Sequence, residues 1–199
     1  MLVVGLAGGT ASGKTTVVGS IRDALGPEQV AVMALDHYYR DLSALPLNER
    51  KNYNFDHPDA FDLPLILQDL ERLKNGHVIE RPVYSFALSV RTDETVRIEP
   101  APVVMVEGIL ALAHPELLEH YDLRIFVESA NDLRLIRRLQ RDVAERGRSL
   151  EETTERYLRW VRPMHQAFVE PSKAAADIVL QNYRSPERAI RLLVKALGA

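Results

Sequence analysis

The chain has 199 residues, of which 46% are hydrophobic and 27% charged, a composition typical of one folded domain rather than of a disordered or fibrous protein. Its formal net charge of −3 provides no overall positive field for binding nucleic acid or an anionic membrane. The absence of cysteine excludes disulfides, thiolate metal sites and a cysteine nucleophile. No apolar run approaches the roughly 18 residues of a membrane span, and no basic leader precedes the apolar start. We therefore expect a cytoplasmic protein that folds as one domain over residues 1–199.

Short apolar runs alternate with helical patterns along the chain. A strand at Leu2–Ala7 leads into two glycines, and a helix at Lys14–Leu25 follows. Three further strands are predicted at 30–35, 103–106 and 123–127, and four further helices at 64–74, 131–145, 150–169 and 186–197. Strand-like pieces at 78–84 and 95–98 predict a small hairpin or flap within 78–98. This alternation predicts a three-layer α/β fold with a mainly parallel central sheet, whose ligands bind at the carboxyl ends of the strands.

Residues 8–15 form the strongest motif in the chain. They read GGTASGKT and satisfy GxxxxGK(S/T) directly after an apolar strand and at the start of a helical pattern. Gly8 and Gly13 allow the amide groups to turn inward, and the helix N-terminus adds positive potential for phosphate oxygens. Lys14 then reaches the β and γ phosphates, and Thr15 offers its hydroxyl to Mg²⁺. The predicted nucleotide-binding residues are Gly8, Gly9, Thr10, Ala11, Ser12, Gly13, Lys14, Thr15 and Thr16.

A phosphate loop does not by itself distinguish a GTP-dependent switch from an ATPase or a small-molecule kinase. An NKxD-type guanine-binding motif is missing from the sequence, and the DxxG at 23–26 lies inside the predicted first helix. A switch protein is therefore disfavoured.

Two carboxylates follow predicted strands and should lie at the same edge of the sheet. Asp36 follows the strand at 30–35, where it could accept the proton of an acceptor hydroxyl that attacks the γ phosphate. An aspartate at this position could equally cap a helix. Glu107 follows the strand at 103–106, and a Mg²⁺-binding role is favoured over a plain charge at a strand end.

An acidic and aromatic loop lies at 53–62, with the sequence YNFDHPDAFD. Aromatic side chains can stack on a ring beside carboxylates that bind sugar hydroxyls, although many surface turns share this composition. The histidines show no pair with convincing metal spacing.

Six arginines lie between positions 134 and 148, in a predicted helix and the turn after it. At about 100° per residue, the helix should carry arginines on one face and apolar side chains on the opposite, packing face. The two sets are Arg134, Arg138 and Arg141, and Ile136, Leu139 and Val143. The turn Arg146–Gly147–Arg148 is suited to a lid, over about 134–160, that closes arginines on a transferring phosphate. A solvated face paired with Asp132, Asp142 and Glu145 is the alternative, and the phosphate loop favours the lid.

Taken together, these motifs resemble the uridine kinase family, also called uridine–cytidine kinases, of the P-loop kinases. The matching segments are GGTASGKT at 8–15, DHYY at 36–39, NFDHPDAFD at 54–62, PVY at 82–84, EGIL at 107–110, RRLQRDVAERGRSL at 137–150 and EPSKAAAD at 170–177. The resemblance implies Mg²⁺-assisted transfer of a phosphate from ATP or GTP to the 5′-hydroxyl of uridine or cytidine, in pyrimidine salvage. It also implies a homo-oligomer, often a tetramer in this family.

The resemblance assigns roles to individual side chains. Asp36 would be the general base at the nucleoside 5′-hydroxyl, with Tyr39 nearby, and Arg141 and Arg146 would join Lys14 in catalysis at the donor phosphates. The other residues on the acceptor side would be Phe55, Asp56 at the ribose hydroxyls, Tyr84 at the pyrimidine, Arg138 and Arg148.

Three positions depart from the family pattern. Ser89 stands where the family usually has a histidine, five residues after Tyr84, which leaves the preference between uridine and cytidine open. Arg156 precedes Tyr157 where the family usually has glutamine. Residues 181–184 replace a PRGG-like turn near the donor base, which leaves the preference between ATP and GTP open.

Two alternatives stay open, a kinase of the same superfamily with another acceptor and a protein of another functional class. A phosphoribulokinase-like kinase would need anchors for a phosphate on the acceptor, whereas Asp56 and Asp59 favour a neutral acceptor that bears hydroxyls. A non-catalytic nucleotide-binding regulator is suggested by Ser89 and the changed tail. The presence of both edge carboxylates and of the arginines argues against this regulator.

Overall fold

A sheet of five parallel strands forms the centre of the computed structural model, which describes residues 1–183 and 186–198. In chain order the strands are β1 (Leu2–Ala7), β2 (Val30–Ala34), β3 (Ile79–Ser85), β4 (Val90–Ile98), β5 (Val103–Glu107), β6 (Leu123–Glu128) and β7 (Ile178–Gln181). The sheet has the spatial order β2-β5-β1-β6-β7, while β3 and β4 form a separate antiparallel hairpin.

Helices and helical turns connect these strands. The α-helices are α1 (Lys14–Leu25), α2 (Leu47–Lys51), α3 (Leu63–Lys74), α4 (Pro115–Leu118), α5 (Asn131–Ala144), α6 (Leu150–Arg156), α7 (Arg162–Met164), α8 (Glu170–Ser172) and α9 (Glu187–Leu197). Two π-helical segments, Tyr157–Val161 and His165–Val169, join α6, α7 and α8 into one continuous helical segment. Short 3-10 turns lie at Leu35–His37, Pro58–Ala60 and Lys173–Ala175.

Buried apolar side chains cover both faces of the sheet. Alternate residues of β1 point to opposite faces, so Val3 and Ala7 belong to one core and Val4 and Leu6 to the other. The first core packs under α3, α4 and the hairpin, and the second packs under α1 and α9. The predicted three-layer α/β fold with a parallel sheet is therefore confirmed.

The register of the three inner strands places the motifs together. Leu6 in β1 and Ala34 in β2 both pair with Glu107, the last residue of β5. The phosphate loop leaves the sheet directly after β1, and Asp36 leaves it directly after β2. The phosphate loop with Lys14, Asp36 and Glu107 therefore all lie at the C-terminal edge of the sheet, where ligands bind in this kind of fold.

The structure differs from the predicted elements in several segments. The edge strand β7 and the short helices α2 and α4 carry too few residues to show a clear period in the sequence. The second hairpin strand runs over Val90–Ile98 rather than 95–98. The helical segment predicted at 150–169 continues to Lys173–Ala175 and contains two π-helical segments. Pro163 and Pro171 each lie two residues beyond a π-helical segment, where the missing amide hydrogen interrupts the regular hydrogen-bond ladder.

Candidate active site

The phosphate loop connects β1 to α1, as its sequence predicts. Gly8 and Gly13 have φ angles of +149° and +96°. A Cβ atom there would collide with the Val127 carbonyl oxygen or the Asn182 amide, so only glycine fits at either position. Ala11 also has a positive φ, +57°, a conformation that costs energy for a residue with a side chain and that concentrates at ligand-binding loops.

Lys14 folds back over this loop. Its buried Nζ donates hydrogen bonds to the carbonyl oxygens of Gly8 at 3.0 Å and Gly9 at 3.2 Å. Burial lowers the pKa of Lys14, while the nearby carboxylates of Glu107 and Asp36 oppose this change. The lysine thus lies beside both predicted acids, at the point where a phosphate chain would cross the loop.

Thr15 and Glu107 place two oxygen ligands side by side. The Thr15 hydroxyl donates a hydrogen bond to Oε1 of Glu107 at 3.3 Å, and Glu107 is 8% exposed. Burial raises the pKa of Glu107, and Lys14 opposes that rise. Within the described residues, no group of three or more acidic, histidine or cysteine side chains could hold a metal ion. One hydroxyl and one carboxylate match the one or two protein oxygens that Mg²⁺ takes when phosphate oxygens and water complete its shell, so a Mg²⁺ site here stays a prediction.

Asp36 lies in a cavity that begins at the phosphate loop. The space inside the cavity and its open mouth is about 540 Å³. Asp36 is part of the 3-10 turn after β2, and its Oδ1 accepts a hydrogen bond from the Tyr39 hydroxyl at 3.4 Å. The lining residues are Thr10, Asp36, Tyr39, Phe55, Asp56, Tyr84, Phe86, Ser89, Ile109, Arg138, Arg141, Arg146, Arg148 and Arg156.

An aromatic cluster forms one wall of the cavity. The ring centroid of Tyr39 lies 5.1 Å from the ring centroid of Phe55 and 5.1 Å from that of Tyr84, and both contacts are edge-to-face. Burial raises the pKa of the Tyr39 hydroxyl, and the charges of Asp36 and Asp56 add to that rise. Tyr39 therefore remains a protonated donor beside Asp36, and the predicted acceptor residues Phe55, Asp56 and Tyr84 all lie in the same cavity.

The two departures from the family pattern on the acceptor side, Ser89 and Arg156, both line this cavity. Ser89 is buried, has a φ of +51° and lies in the turn of the hairpin. Burial raises the pKa of the Tyr84 phenol, while Arg156 and the Ser89 hydroxyl oppose that rise. Ser89 and Arg156 therefore both face Tyr84, the side chain expected at the pyrimidine.

Arginines of α5 and the following turn form the opposite wall. Arg138 is buried, and its Nη1 donates a hydrogen bond to the Thr10 hydroxyl at 2.9 Å. Burial raises the pKa of Asp56, and Arg138 opposes this rise from across the cavity. Arg141, Arg146 and Arg148 line the same space. Five of the six predicted arginines thus lie beside the phosphate loop or line the same cavity, whereas Arg137 donates a hydrogen bond to the Ser129 hydroxyl. The orientation of these arginines on the helix differs from the prediction.

The predicted apolar packing face of α5 is wrong. Ile136 is 52% exposed and Val143 is 46% exposed, whereas Arg134, Arg138 and Asp142 are buried. The guanidinium groups turn inward because hydrogen bonds and an internal carboxylate compensate for their loss of water. Arg134, for example, donates to the Ser129 carbonyl and to Asn131 Oδ1.

Two residues beside the site received no role from the sequence, and a third, Asp142, was considered only as one of the acids that pair with a solvated arginine face. Asn182 donates a hydrogen bond from Nδ2 to the Ser12 carbonyl at 2.8 Å, which ties the end of β7 to the phosphate loop. His165 Nε2 lies 2.9 Å from Nη2 of Arg134. Asp142 is the internal carboxylate of the arginine wall. Only Asp142 had a usable signal, because it follows Arg138 at helical i,i+4 spacing. Of the departing tail, 181–183 are described, and Arg184 lies outside the described residues.

Comparison with known proteins places the chain in a family. The sequence model of the family described as Phosphoribulokinase / Uridine kinase family matches residues 3–190. The chain belongs to this family. The predicted relationship to uridine kinases is therefore confirmed.

Two curated relatives show how far the similarity extends. A uridine kinase of Chloroflexus aggregans is 46% identical over 198 residues, which are 100% of this chain and 95% of that protein. A uridine kinase of Bacillus cytotoxicus is 43% identical over 197 residues, with 99% of this chain and 93% of that protein covered. Both relatives are phosphotransferases by name, which confirms the prediction of a kinase.

Solved structures of low sequence identity share the fold. Phosphoribulokinase from Rhodobacter spheroides aligns with a TM-score of 0.65 at 16% identity, covering 90% of this chain and 69% of that chain. D-glycerate 3-kinase from Cryptococcus neoformans aligns with a TM-score of 0.64 at 21% identity, covering 84% of this chain and 78% of that chain. Within residues 1–183 and 186–198, no helix has the length and apolar character needed to cross a bilayer.

Proposed function

We propose that this protein is a nucleoside kinase that transfers the γ-phosphate of ATP or GTP to the 5′-hydroxyl of uridine or cytidine. The observation that carries this proposal is one cavity whose lining combines Thr10 of the phosphate loop with Asp36 and with the aromatic and acidic side chains expected at a nucleoside. The names of the curated relatives support the same acceptor.

The donor end supplies binding and charge neutralisation. The loop amides and the α1 N-terminus bind phosphate oxygens, and Lys14 adds a positive charge at the β and γ phosphates. Thr15 and Glu107 would hold Mg²⁺, which supplies further neutralisation of phosphate charge when bound. Arg141 and Arg146 reach the same region from the opposite wall and would stabilise charge that develops during transfer.

The acceptor end positions a neutral sugar alcohol. Asp36 would accept the proton of the 5′-hydroxyl, and the Tyr39 hydroxyl orients the Asp36 carboxylate by donating to Oδ1. Phe55 and Tyr84 supply aromatic edges for a pyrimidine, and Asp56 supplies a carboxylate for ribose hydroxyls. Closure of the arginine wall over the site would exclude water and limit hydrolysis of the donor.

One observation favours a second candidate, a phosphoribulokinase-like enzyme. Five arginines line the cavity, and such groups could anchor a phosphate already present on the acceptor. Against this reading, four of the five lie close to the carboxylate of Asp142, which supplies part of the negative charge that they require. Asp36 and Asp56 would also repel a phosphorylated acceptor.

A panel of acceptors separates the candidates. Purified protein with Mg²⁺ and labelled ATP or GTP would be incubated with uridine, cytidine, ribulose 5-phosphate or no acceptor, and labelled products would be separated. We expect nucleoside 5′-monophosphates that accumulate only with uridine or cytidine. Transfer to ribulose 5-phosphate alone would replace the proposal with the second candidate, and ATP binding without any transfer would identify a regulator.

Direct competition within the same assay addresses the base. Equal concentrations of uridine and cytidine would be mixed, and the two monophosphates would be quantified. Ser89 is buried and Arg156 is partly shielded from water beside Tyr84. We therefore expect these two side chains, rather than solvent-exposed groups, to discriminate uridine from cytidine at the edge of the base.

The wider features of the proposal are a single domain over 1–199, a small-molecule rather than a nucleic-acid acceptor, and a homo-oligomer.

A further inference from the structure

Asp142 is an acid that is fully shielded from solvent inside the arginine wall. Its exposure is 0%, and its carboxylate faces four guanidinium groups. Oδ1 lies 2.8 Å from Arg141 and 3.6 Å from Arg146, and Oδ2 lies 3.0 Å from Arg148 and 3.6 Å from Arg138. One carboxylate therefore contacts every arginine that the sequence analysis assigned to catalysis or to the acceptor side.

The charges in this cluster depend on one another. Burial alone would raise the pKa of Asp142, but Arg138, Arg141 and Arg146 together lower it, so the carboxylate stays ionised. Without that negative charge, four guanidinium groups would repel each other in a space with little water to screen them. The distances between the arginines are therefore set by the charge of Asp142 as well as by the backbone.

Asp142 also fixes the backbone turn that carries two of these arginines. Its carbonyl oxygen accepts a hydrogen bond from the amide of Arg148 at 3.1 Å, which closes the chain between α5 and α6. The same residue thus contacts the turn through both its side chain and its main chain. Gly147, with a φ of +64°, permits the reversal between Arg146 and Arg148.

The arginines, and not Asp142, face the reacting groups. All four arginines line the cavity that contains Asp36, whereas Asp142 lies behind them. Arg138 also donates a hydrogen bond to Thr10 of the phosphate loop. An effect of Asp142 on the reaction must therefore pass through the arginines.

We propose that Asp142 is a positioning residue for phosphoryl transfer, whose charge holds four arginines in their working arrangement before the triphosphate binds. This inference rests on the proposed kinase function. Preorganised charge is effective because no reorganisation is needed as the transition state forms. Affinity for ATP should depend much less on Asp142, because the loop amides and Lys14 bind the donor phosphates directly.

The test compares Asp142→Asn, which keeps the side-chain shape and removes the charge, with the wild-type protein. We expect kcat for uridine phosphorylation to fall about 100-fold, the effect of misplacing a group by about 1 Å. The Kd for ATP without acceptor, measured by calorimetry, should stay near the wild-type value, and the binding stoichiometry from the same titration reports the fraction of folded protein. A structural role alone would instead lower the fraction of sites that bind ATP and leave kcat per binding site unchanged.

Two further variants complete the experiment. Glu145→Gln removes an exposed acid one turn along the same segment and should leave kcat unchanged. Asp142→Glu keeps the charge but displaces it by one methylene, so we expect a kcat between those of Asp142→Asn and the wild type. If Asp142→Asn does not fold, a reduced kcat with unchanged ATP affinity in Asp142→Glu supports the proposal.

Several results would overturn the inference. These are a wild-type kcat in Asp142→Asn, a wild-type kcat in Asp142→Glu when Asp142→Asn does not fold, and loss of folding in both variants. Failure of the proposed function is separate, because it would appear as absence of nucleoside phosphorylation by the wild-type protein. The ratio of the variant kcat to the wild-type kcat would then be measured with ribulose 5-phosphate as acceptor or from ATP hydrolysis.

Discussion

Asp36 and Glu107 are two acids at the ends of neighbouring strands, yet their surroundings differ. Glu107 is buried against Lys14 and the Thr15 hydroxyl, so its carboxylate is held next to the phosphate loop. Asp36 is partly exposed and faces the cavity, where an acceptor hydroxyl can reach it. The difference in burial therefore favours a metal role for Glu107 and a proton-accepting role for Asp36 over a purely structural cap.

The role of Asp36 gives a prediction for a single atom replacement. Asp36→Asn should reduce phosphate transfer to uridine by about 10²- to 10⁴-fold, the usual contribution of general base catalysis. The affinity for ATP should change little, because Asp36 lies beyond the phosphate loop. Steady-state ADP release with uridine and equilibrium ATP binding would measure the two effects.

A matched control for this replacement is Asp41→Asn, in the exposed loop that follows the same turn. Its transfer rate should equal that of the wild type. Full activity of Asp36→Asn would remove Asp36 from the mechanism, and equal losses in both variants would point to a general effect on the loop.

At the scale of elements, the hairpin is joined to the rest of the protein through Asp62. This residue caps α3 by accepting a hydrogen bond from the Leu65 amide at 3.3 Å. It also pairs with Arg91 of β4 at 3.0 Å and donates its own amide hydrogen to the Tyr38 carbonyl. One side chain thus connects the start of α3 to the hairpin, while its backbone meets the segment that carries Asp36.

Loss of this cap should weaken the protein measurably. Asp62→Ala is expected to lower the free energy of unfolding by about 1–2 kcal/mol, mostly through loss of the N-cap, because the partly exposed ion pair contributes less. Urea unfolding followed by circular dichroism would measure the change. Asp62→Ser keeps a cap and loses the ion pair, so it should be less destabilising than Asp62→Ala; the reverse order would contradict the assignment.

At the scale of the whole molecule, a charge network links the helical segment that carries His165, Glu170 and Lys173 to the sheet. His165 lies between Arg134 and Glu170, and Lys173 bridges Glu170 to Glu128 at the end of β6. Burial and the nearby Arg134 lower the pKa of His165 to about 4. The folded protein therefore keeps this imidazole neutral, although a histidine in the unfolded chain takes up a proton near pH 6.5.

This difference predicts how stability changes with pH. Between pH 6.5 and 4 the unfolded state binds more protons than the folded state, so the free energy of unfolding falls as the pH is lowered. A pKa difference of about 2.5 units, at about 1.4 kcal/mol per unit, makes the full loss attributable to His165 about 3.5 kcal/mol.

Replacement of His165 tests whether this residue causes the pH dependence of the free energy of unfolding. His165→Asn should flatten the dependence between pH 6.5 and 4.5, and chemical denaturation at several pH values would measure it. Below about pH 4.5 both proteins should lose stability, because Glu170 is paired with Lys173 and its pKa is lowered by that pairing. The prediction fails if the two proteins show parallel pH profiles from pH 7 to 4.5.

Some of the site could be predicted because it depends on adjacent residues. The phosphate loop is contiguous, and its glycines, lysine and threonine follow from the backbone angles that phosphate binding requires. Asp36 and Glu107 could be placed at one edge because parallel strands end on the same side of a sheet. The two carboxylates still had ambiguous roles, since burial cannot be read from a strand end.

Other features required the folded chain. The pattern of α5 predicted that Ile136 and Val143 would pack inward, yet the structure buries the arginines because Asp142 and the phosphate loop supply their partners. Ser89 and Arg156 are 67 positions apart in sequence, and only the hairpin and α6 bring them to the same cavity. The short edge strand β7 exposes Ile178 and Val179 and carries no alternating pattern.

The amino-acid sequence alone determined the phosphate loop, the parallel α/β order and the family, because each depends on local spacing or on the alternation of elements. The tertiary structure decided which charges are buried, which acid neutralises the arginines and which residues share the acceptor cavity. Those properties depend on contacts between distant segments, and the energy of a charge is set by the partners and the water that surround it after folding.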